Sequence, residues 1–322
     1  MRPSPQSNEE REPMHTPIGA LRENIAKAYL GRSEPIDRLI TCLLARGHAL
    51  IEDVPGVGKT VLASALAKSI DCAFSRVQLT PDLLPADIIG VSIYDRESGS
   101  FRFNHGPLFT NILLADEINR TTPRTQTALL EAMNEASVSV DGVAHPLPLP
   151  FMVLATQNPY DFEGTYPLPE NQLDRFLMRI SLGYPEPEVE SRLLDLRPAQ
   201  HVLAKLEPVI HREQILELQN SVDQVRLDES LRRYIVELAR ATRRHEDLLV
   251  GISPRGTLAL AHAARATALM HDRDYCIPED ILDNLVEVCA HRVITRSFGA
   301  GRNWQLAAEI LRQVTESVAS PM

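Results

Sequence analysis

Residues Gly47–Thr60 read GHALIEDVPGVGKT. Ala49, Leu50 and Ile51 form a short apolar run, the pattern of a strand buried in a parallel sheet. Pro55–Gly56–Val57–Gly58 make a turn, and Lys59–Thr60 then open a segment with Val61, Leu62, Ala65 and Leu66 at helical spacing. A strand, a glycine turn and a helix in that order aim successive backbone N–H groups at an anion, with the helix dipole behind them. In such a loop Pro55, Gly56, Val57, Gly58 and Val61 form the cradle. Lys59 reaches the β- and γ-phosphates of a nucleotide, and the Thr60 hydroxyl meets its Mg²⁺. Asp53 stands where the pattern G-x-x-x-x-G-K-[ST] has its first glycine. Aspartate tolerates the left-handed backbone less freely than glycine, and the alternative reading is a βα turn with a chance lysine.

The chain has 322 residues, enough for about two domains with a sizeable core. Its 44% hydrophobic and 24% charged residues are those of an ordinary globular protein. A formal net charge of −10 argues against a broad electrostatic footprint for nucleic acid. The four cysteines, Cys42, Cys72, Cys276 and Cys289, are scattered without a C-x-x-C, so neither a disulfide framework nor a metal site is indicated. Met1–Pro13 are polar and proline-containing and predict a flexible tail over 1–14 rather than a signal peptide. No run approaches the roughly 18 apolar residues of a membrane span, so a cytoplasmic protein is expected.

Helical spacing covers Ile18–Leu30 and Pro35–Ala45, ahead of the first strand. Phe74–Leu79 predicts the next strand, and Thr80–Pro81–Asp82 predicts a helix start with proline at its first position. Val91–Tyr94 and Ser100–Phe103 read as a hairpin. Asn111–Arg120, NILLADEINR, is the second chemical stretch: an apolar strand ending in Asp116 and Glu117. The carboxyl ends of strands in a doubly wound sheet line the ligand crevice. There Asp116 would hold Mg²⁺ and Glu117 would orient and deprotonate the attacking water. Alone, a strand ending in solvated acids would be as good a reading; the phosphate loop decides between them. Thr122–Pro123 cap a further helix, and Asp141–Gly142 turn a second hairpin over Ser137–His145. Phe151–Thr156 is another buried strand, ending in Gln157–Asn158–Pro159. Asn158 is positioned to hydrogen-bond the γ-phosphate or the attacking water, although Asn before Pro is also a common turn starter.

The succession PGVGKT, TPDLLPADIIG, ILLADEINR, a DG hairpin, LATQNP and LPENQLDRF resembles the MoxR family of AAA+ ATPases. The likeness runs from about Arg22 to Phe176 and more loosely beyond. Asp53 in place of the first glycine is usual there. The resemblance implies that Asn158 is a sensor 1 residue. It also implies that Arg175, in Leu173–Asp174–Arg175–Phe176, is an arginine finger acting on a neighbouring subunit. Arg120 and Arg124 are rivals for that role on residue grounds.

Gly183–Glu188 marks a composition shift, which divides the chain into an α/β nucleotide-binding domain over 15–184 and a helical lid over 185–322. Ser191–Arg197, Glu213–Val222, Leu231–Thr242, Pro254–Met270 and Pro278–His291 read as helices, without a strand pattern. Ser253 can cap, Pro254 fits the first helical position and Arg255 falls in the first turn. A cation there opposes the helix dipole and needs another partner. The expected partner is a nucleotide phosphate across the cleft, since the resemblance implies that Arg255 is a sensor 2 arginine; an acid of the other domain is the alternative.

The fold expected is a P-loop AAA+ core with a parallel sheet flanked by helices, plus an all-helical C-terminal lid. The expected activity is Mg²⁺-dependent ATP hydrolysis. By resemblance, the protein acts as a homo-oligomeric, hexameric ring in chaperone-like remodelling or activation of a partner, often one with a von Willebrand factor A domain. A nucleic-acid motor is one alternative, but the Ser137–His145 hairpin carries no Lys or Arg. A nucleotide-gated scaffold with little turnover is another, against which the intact pair Asp116–Glu117 speaks.

Overall fold

The computed structural model describes residues 17–158, 164–195, 200–296 and 304–321. The expected tail over 1–14 lies outside them, as do Pro159 and the end of the helix expected at Ser191–Arg197. Helices α1 (Pro17–Ala28) and α2 (Glu34–Leu44) precede β1 (Ala49–Glu52) and α3 (Lys59–Ser69). Next come β2 (Phe74–Gln78), α4 (Pro85–Ile89), and a hairpin of β3 (Gly90–Asp95) with β4 (Ser100–His105). Then follow β5 (Ile112–Asp116), α5 (Pro123–Glu135), a hairpin of β6 (Ser137–Val140) with β7 (Val143–Pro146), and β8 (Met152–Gln157). The short α6 (Glu170–Leu173) leads into β9 (Met178–Ile180).

Five strands form one parallel sheet in the order β2-β5-β8-β1-β9. Its middle strands are apolar up to their polar carboxyl ends because both faces are covered. Ala49, Ile51, Ile112, Leu114, Met152 and Leu154 face one hydrophobic cluster, which also takes in α1, α2 and α3. Leu50, Leu113, Ala115, Val153 and Ala155 face the other, under α5. Alternate residues of one strand thus enter different cores.

The helix expected to begin at Pro81 begins at Pro85 instead. Pro85 drives Leu84 into extended backbone (φ −91°, ψ 156°), and Asp87 accepts the Leu84 N–H at 2.8 Å. Thr80–Pro81–Asp82 is left as a turn, closed by Leu83 N–H to the Thr80 carbonyl at 3.2 Å. The two hairpins dock on each other: the Ser92 hydroxyl donates to Asp141 at 2.6 Å, and the Phe103 and His145 rings lie 4.3 Å apart.

The remainder holds α7 (Pro187–Asp195), α8 (Gln200–Ala204), α9 (Arg212–Gln224), α10 (Glu229–Arg244), α11 (Pro254–Met270), α12 (Pro278–Cys289) and α13 (Trp304–Ser317). Among the described residues its regular structure is helical apart from a short ribbon and an isolated bridge between Arg226 and Tyr275. β10 (Leu248–Val250) pairs antiparallel with β11 (Ile294–Thr295), a ribbon too short to show alternation in sequence. Helix α11 packs on α2, α9 and α12, which joins these helices to the sheet domain.

Two buried histidines fasten the elements. His48 accepts the Val153 N–H on Nδ1 and faces the Met133 carbonyl with Nε2, both at 2.9 Å, which fixes the neutral tautomer with the proton on Nε2. Burial pushes its pKa from the usual 6.5 down to about 4. His291 is buried against the Phe176 carbonyl and shifted the same way, for the same reason. The folded chain resists protonation that the unfolded chain accepts, so stability is full above about pH 6.5 and is lost as pH falls toward 4. For His48 the loss amounts to roughly 3 kcal/mol. Denaturant midpoints measured between pH 7 and 4.5 should fall, and the fall should shrink in His48→Gln. An unchanged pH dependence in that variant would refute the assignment.

Candidate active site

Loop Pro55–Gly58 sits at the carboxyl end of β1, and α3 starts at Lys59. Gly56 (φ 88°) and Gly58 (φ 96°) both occupy left-handed backbone, and a Cβ on Gly58 would come 3.3 Å from the Tyr29 ring. Side chains at these positions would be strained, so glycine is what lets the loop curl. The loop forms one wall of a cavity of about 330 Å3, lined by Pro55, Gly56, Gly58, Lys59, Thr60 and Val61. Val57 does not line it; its side chain packs against the core. Lys59 donates to the Asp53 carbonyl at 2.6 Å. Burial lowers its pKa, opposed by the charges of Asp53, Asp116, Glu117 and Glu52.

Asp116, Glu117, Thr156 and Asn158 supply the opposite wall. These residues end β5 and β8, which are adjacent and parallel, so their side chains converge at the carboxyl edge of the sheet. The Thr156 hydroxyl donates to Asp116 Oδ1 at 3.0 Å and accepts the Glu117 N–H at 2.9 Å. Glu117 itself is left-handed (φ 58°, ψ 54°), a strained conformation held by this bond and by the turn behind it. Its Oε2 accepts Gln78 Nε2 at 2.7 Å and lies 3.2 Å from Arg120 Nε. Arg120 is therefore paired within its own chain, and Arg124 is exposed on the first turn of α5.

Neither Arg175 nor Arg255 lines this cavity. Both line a separate concavity of about 570 Å3, together with Arg46, Asp174, His262 and Arg292. Arg175 donates to the Leu130 carbonyl at 2.6 Å. Arg255 lies 3.5 Å from Asp174, with its side chain 61% exposed. The cation in the first turn of α11 has thus found an acid of the sheet domain, not the phosphate loop. Asp174 is also gripped by Arg292 Nε at 2.7 Å, and Arg292, whose side chain is 3% exposed, donates at 2.8 Å to the Phe176 carbonyl as well. The Leu173–Phe176 segment is thereby pinned to the helical part of the chain.

Residues 48–178 match the ATPase family associated with various cellular activities (AAA), and residues 240–314 match the AAA lid domain. The chain is 38% identical to Chaperone MoxR1 of Mycobacterium tuberculosis, over 96% of this chain and 83% of the relative. The chain belongs to the MoxR family of AAA+ ATPases. It is 47% identical to the uncharacterized protein YeaC of Bacillus subtilis, across 97% of both chains. A crystal structure of a putative ATPase from Cytophaga hutchinsonii is 37% identical, covers 95% of each chain and superposes with a TM-score of 0.85. The activity of the family is ATP hydrolysis, and this chain is an ATPase.

Three features of this MoxR-family site are not evident in its motifs. Arg76 and Gln78 of β2 line the cavity, and Arg76 Nε donates to Asp116 Oδ2 at 2.7 Å. Their signal is polar residues at period two, on a strand lying parallel beside the acid-bearing one, with Gln78 in register with Asp116. Thr156 bridges the two acids from β8. Asp53, the departure from the glycine pattern, takes the Leu182 N–H at 2.8 Å and the Gly183 N–H at 2.7 Å on one carboxylate oxygen. Its other oxygen accepts the Val54 N–H at 2.8 Å. An acid here clasps the segment after β9 to the phosphate loop, a role glycine could not fill.

Proposed function

We propose that this ATPase binds Mg²⁺–ATP in the Lys59 cavity and works as a homo-oligomeric ring that uses hydrolysis to remodel or activate a partner protein. The observation that carries the ring is the separation of Arg175 and Arg255 from the cavity that holds Lys59 and Glu117. Each chain then presents a phosphate-binding face and, elsewhere, an arginine-bearing face. Pairing unlike faces around a ring completes every site. On this reading Arg255 serves the neighbour's nucleotide alongside Arg175, rather than its own.

Within one site, the loop N–H groups and Lys59 hold the phosphates. The hydroxyl of Thr60 and the carboxylate of Asp116 are hard oxygen donors facing one cavity, a set that suits Mg²⁺. When bound, Mg²⁺ neutralises charge on the β- and γ-phosphates. Glu117 accepts the proton of the attacking water, and Asn158 orients that water or the γ-phosphate. Arg175 of the adjacent subunit offsets charge as it develops on the transferred group.

The partner side rests on a relative named a chaperone and on the β3–β4 hairpin, whose Ile93, Tyr94 and Phe101 are exposed. Apolar side chains gathered at a projecting hairpin suit protein contact. A partner with a von Willebrand factor A domain is the one the family resemblance suggests. The β6–β7 hairpin beside it has no cation, and Arg96 and Arg102 of the first hairpin are offset by Asp95 and Glu97. Specific ATPase activity should accordingly collapse on dilution below the assembly concentration, and DNA or RNA at moderate salt should leave it unchanged. Activity independent of concentration down to the monomer would refute the shared site. Several-fold stimulation by nucleic acid, lost as salt rises, would refute the remodelling role.

A further inference from the structure

Asp116 has both carboxylate oxygens engaged: Oδ1 by the Thr156 hydroxyl and Oδ2 by Arg76 Nε at 2.7 Å. The two partners differ in kind. Thr156 is a buried hydroxyl on the adjacent strand, and its bond leaves the charge of Asp116 intact. Arg76 brings a full positive charge to a carboxylate whose side chain is only 10% exposed, and it does so from a side chain that is half exposed and can move. The guanidinium lines the same cavity as Lys59, Thr60 and Asp116.

A divalent cation held between Thr60 and Asp116 needs the field that Arg76 now cancels. Arg76 and the cation carry like charges, and in a partly desolvated cavity they cannot both sit against Oδ2. The geometry points to Arg76 as a resident counter-cation of Asp116, one that gives way when a divalent cation arrives with the nucleotide. Arg76 is a positioning residue in this scheme, acting through Asp116. Two opposed consequences follow. Without divalent cation, Arg76 masks Asp116, so that the acid does not repel the phosphates. With it, Arg76 is a competitor that raises the cation concentration the site requires.

The inference rests on the nucleotide-site reading, and the test separates the two. Binding of a fluorescent mant-ADP is titrated once in EDTA and once across a Mg²⁺ series, for the unmodified protein, Arg76→Gln and Arg76→Lys. Arg76→Gln should bind mant-ADP about tenfold more weakly in EDTA, the size of one charge-assisted hydrogen bond. It should also reach half-maximal tight binding at a Mg²⁺ concentration several-fold lower than the unmodified protein. Arg76→Lys, which keeps the charge, should lie nearer the unmodified protein in EDTA and shows whether a loss in the glutamine variant is merely structural. An equal change of affinity in both conditions, no change in either, or only one of the two shifts would overturn the proposal. Failure of the unmodified protein to bind mant-ADP under any condition, or undiminished binding by Lys59→Ala, would overturn the site reading itself.

Discussion

Replacing Glu117 with glutamine is expected to cut ATP turnover by on the order of a hundredfold or more, the usual worth of a general base, while nucleotide binding persists. The substitution is isosteric, and the surroundings of Glu117 accept it. An amide oxygen can still take the Gln78 N–H that now reaches Oε2 at 2.7 Å, and the backbone N–H keeps its bond to Thr156. The Arg120 contact weakens, but it is partly exposed and contributes little to stability. What disappears is basicity at the atom facing the cavity. Lys59→Ala should do the reverse, weakening nucleotide binding directly. Phosphate release gives the rate, and mant-ATP fluorescence gives the affinity. Turnover at the unmodified rate would show that Glu117 is not the base.

The phosphate loop was legible because its information is contiguous: one strand, one turn and one helix start within a single stretch. Asp116 and Glu117 were legible for a similar reason, since an apolar strand points its last residues at the sheet's carboxyl edge. The roles of Arg76, Gln78 and Thr156 depend on which strands become neighbours. Order β2-β5-β8 brings three separated segments into register, and nothing local in FSRVQ announces that Asp116 lies across from Gln78. Asp53 posed the same difficulty, because its partners at Leu182 and Gly183 return only after β9. Strand β9 itself has three residues, too few for a pattern to rise above chance. At Arg255 the local physics was sound, since a cation in a first helical turn does need a partner, but only the packed structure names Asp174 as that partner.

The largest effect expected belongs to Arg175, since an arginine finger supplied in trans is worth about 10³–10⁵ in rate. Arg175→Ala should therefore be almost inactive, as Glu117→Gln should be. Its contact with the Leu130 carbonyl is a single, partly buried hydrogen bond, so the variant should keep its fold, which thermal unfolding checks. Mixing the two inactive proteins under conditions of subunit exchange then creates an interface that neither has alone. There a chain with intact Glu117, bearing Arg175→Ala, meets a neighbour with intact Arg175, bearing Glu117→Gln. Such an interface holds one complete site, and activity should partly return. A finger acting within its own chain cannot give this result, because every chain in the mixture still lacks one essential group. The arginine face and the phosphate face lie in separate concavities of the chain, which is the arrangement complementation requires. If labelled subunits exchange and activity does not recover, the finger passes to Arg120 or Arg124, or the shared site is abandoned. Arg120 would then have to leave its pairing with Glu117 to serve a neighbour, so Arg120→Ala would disturb its own chain's base as well.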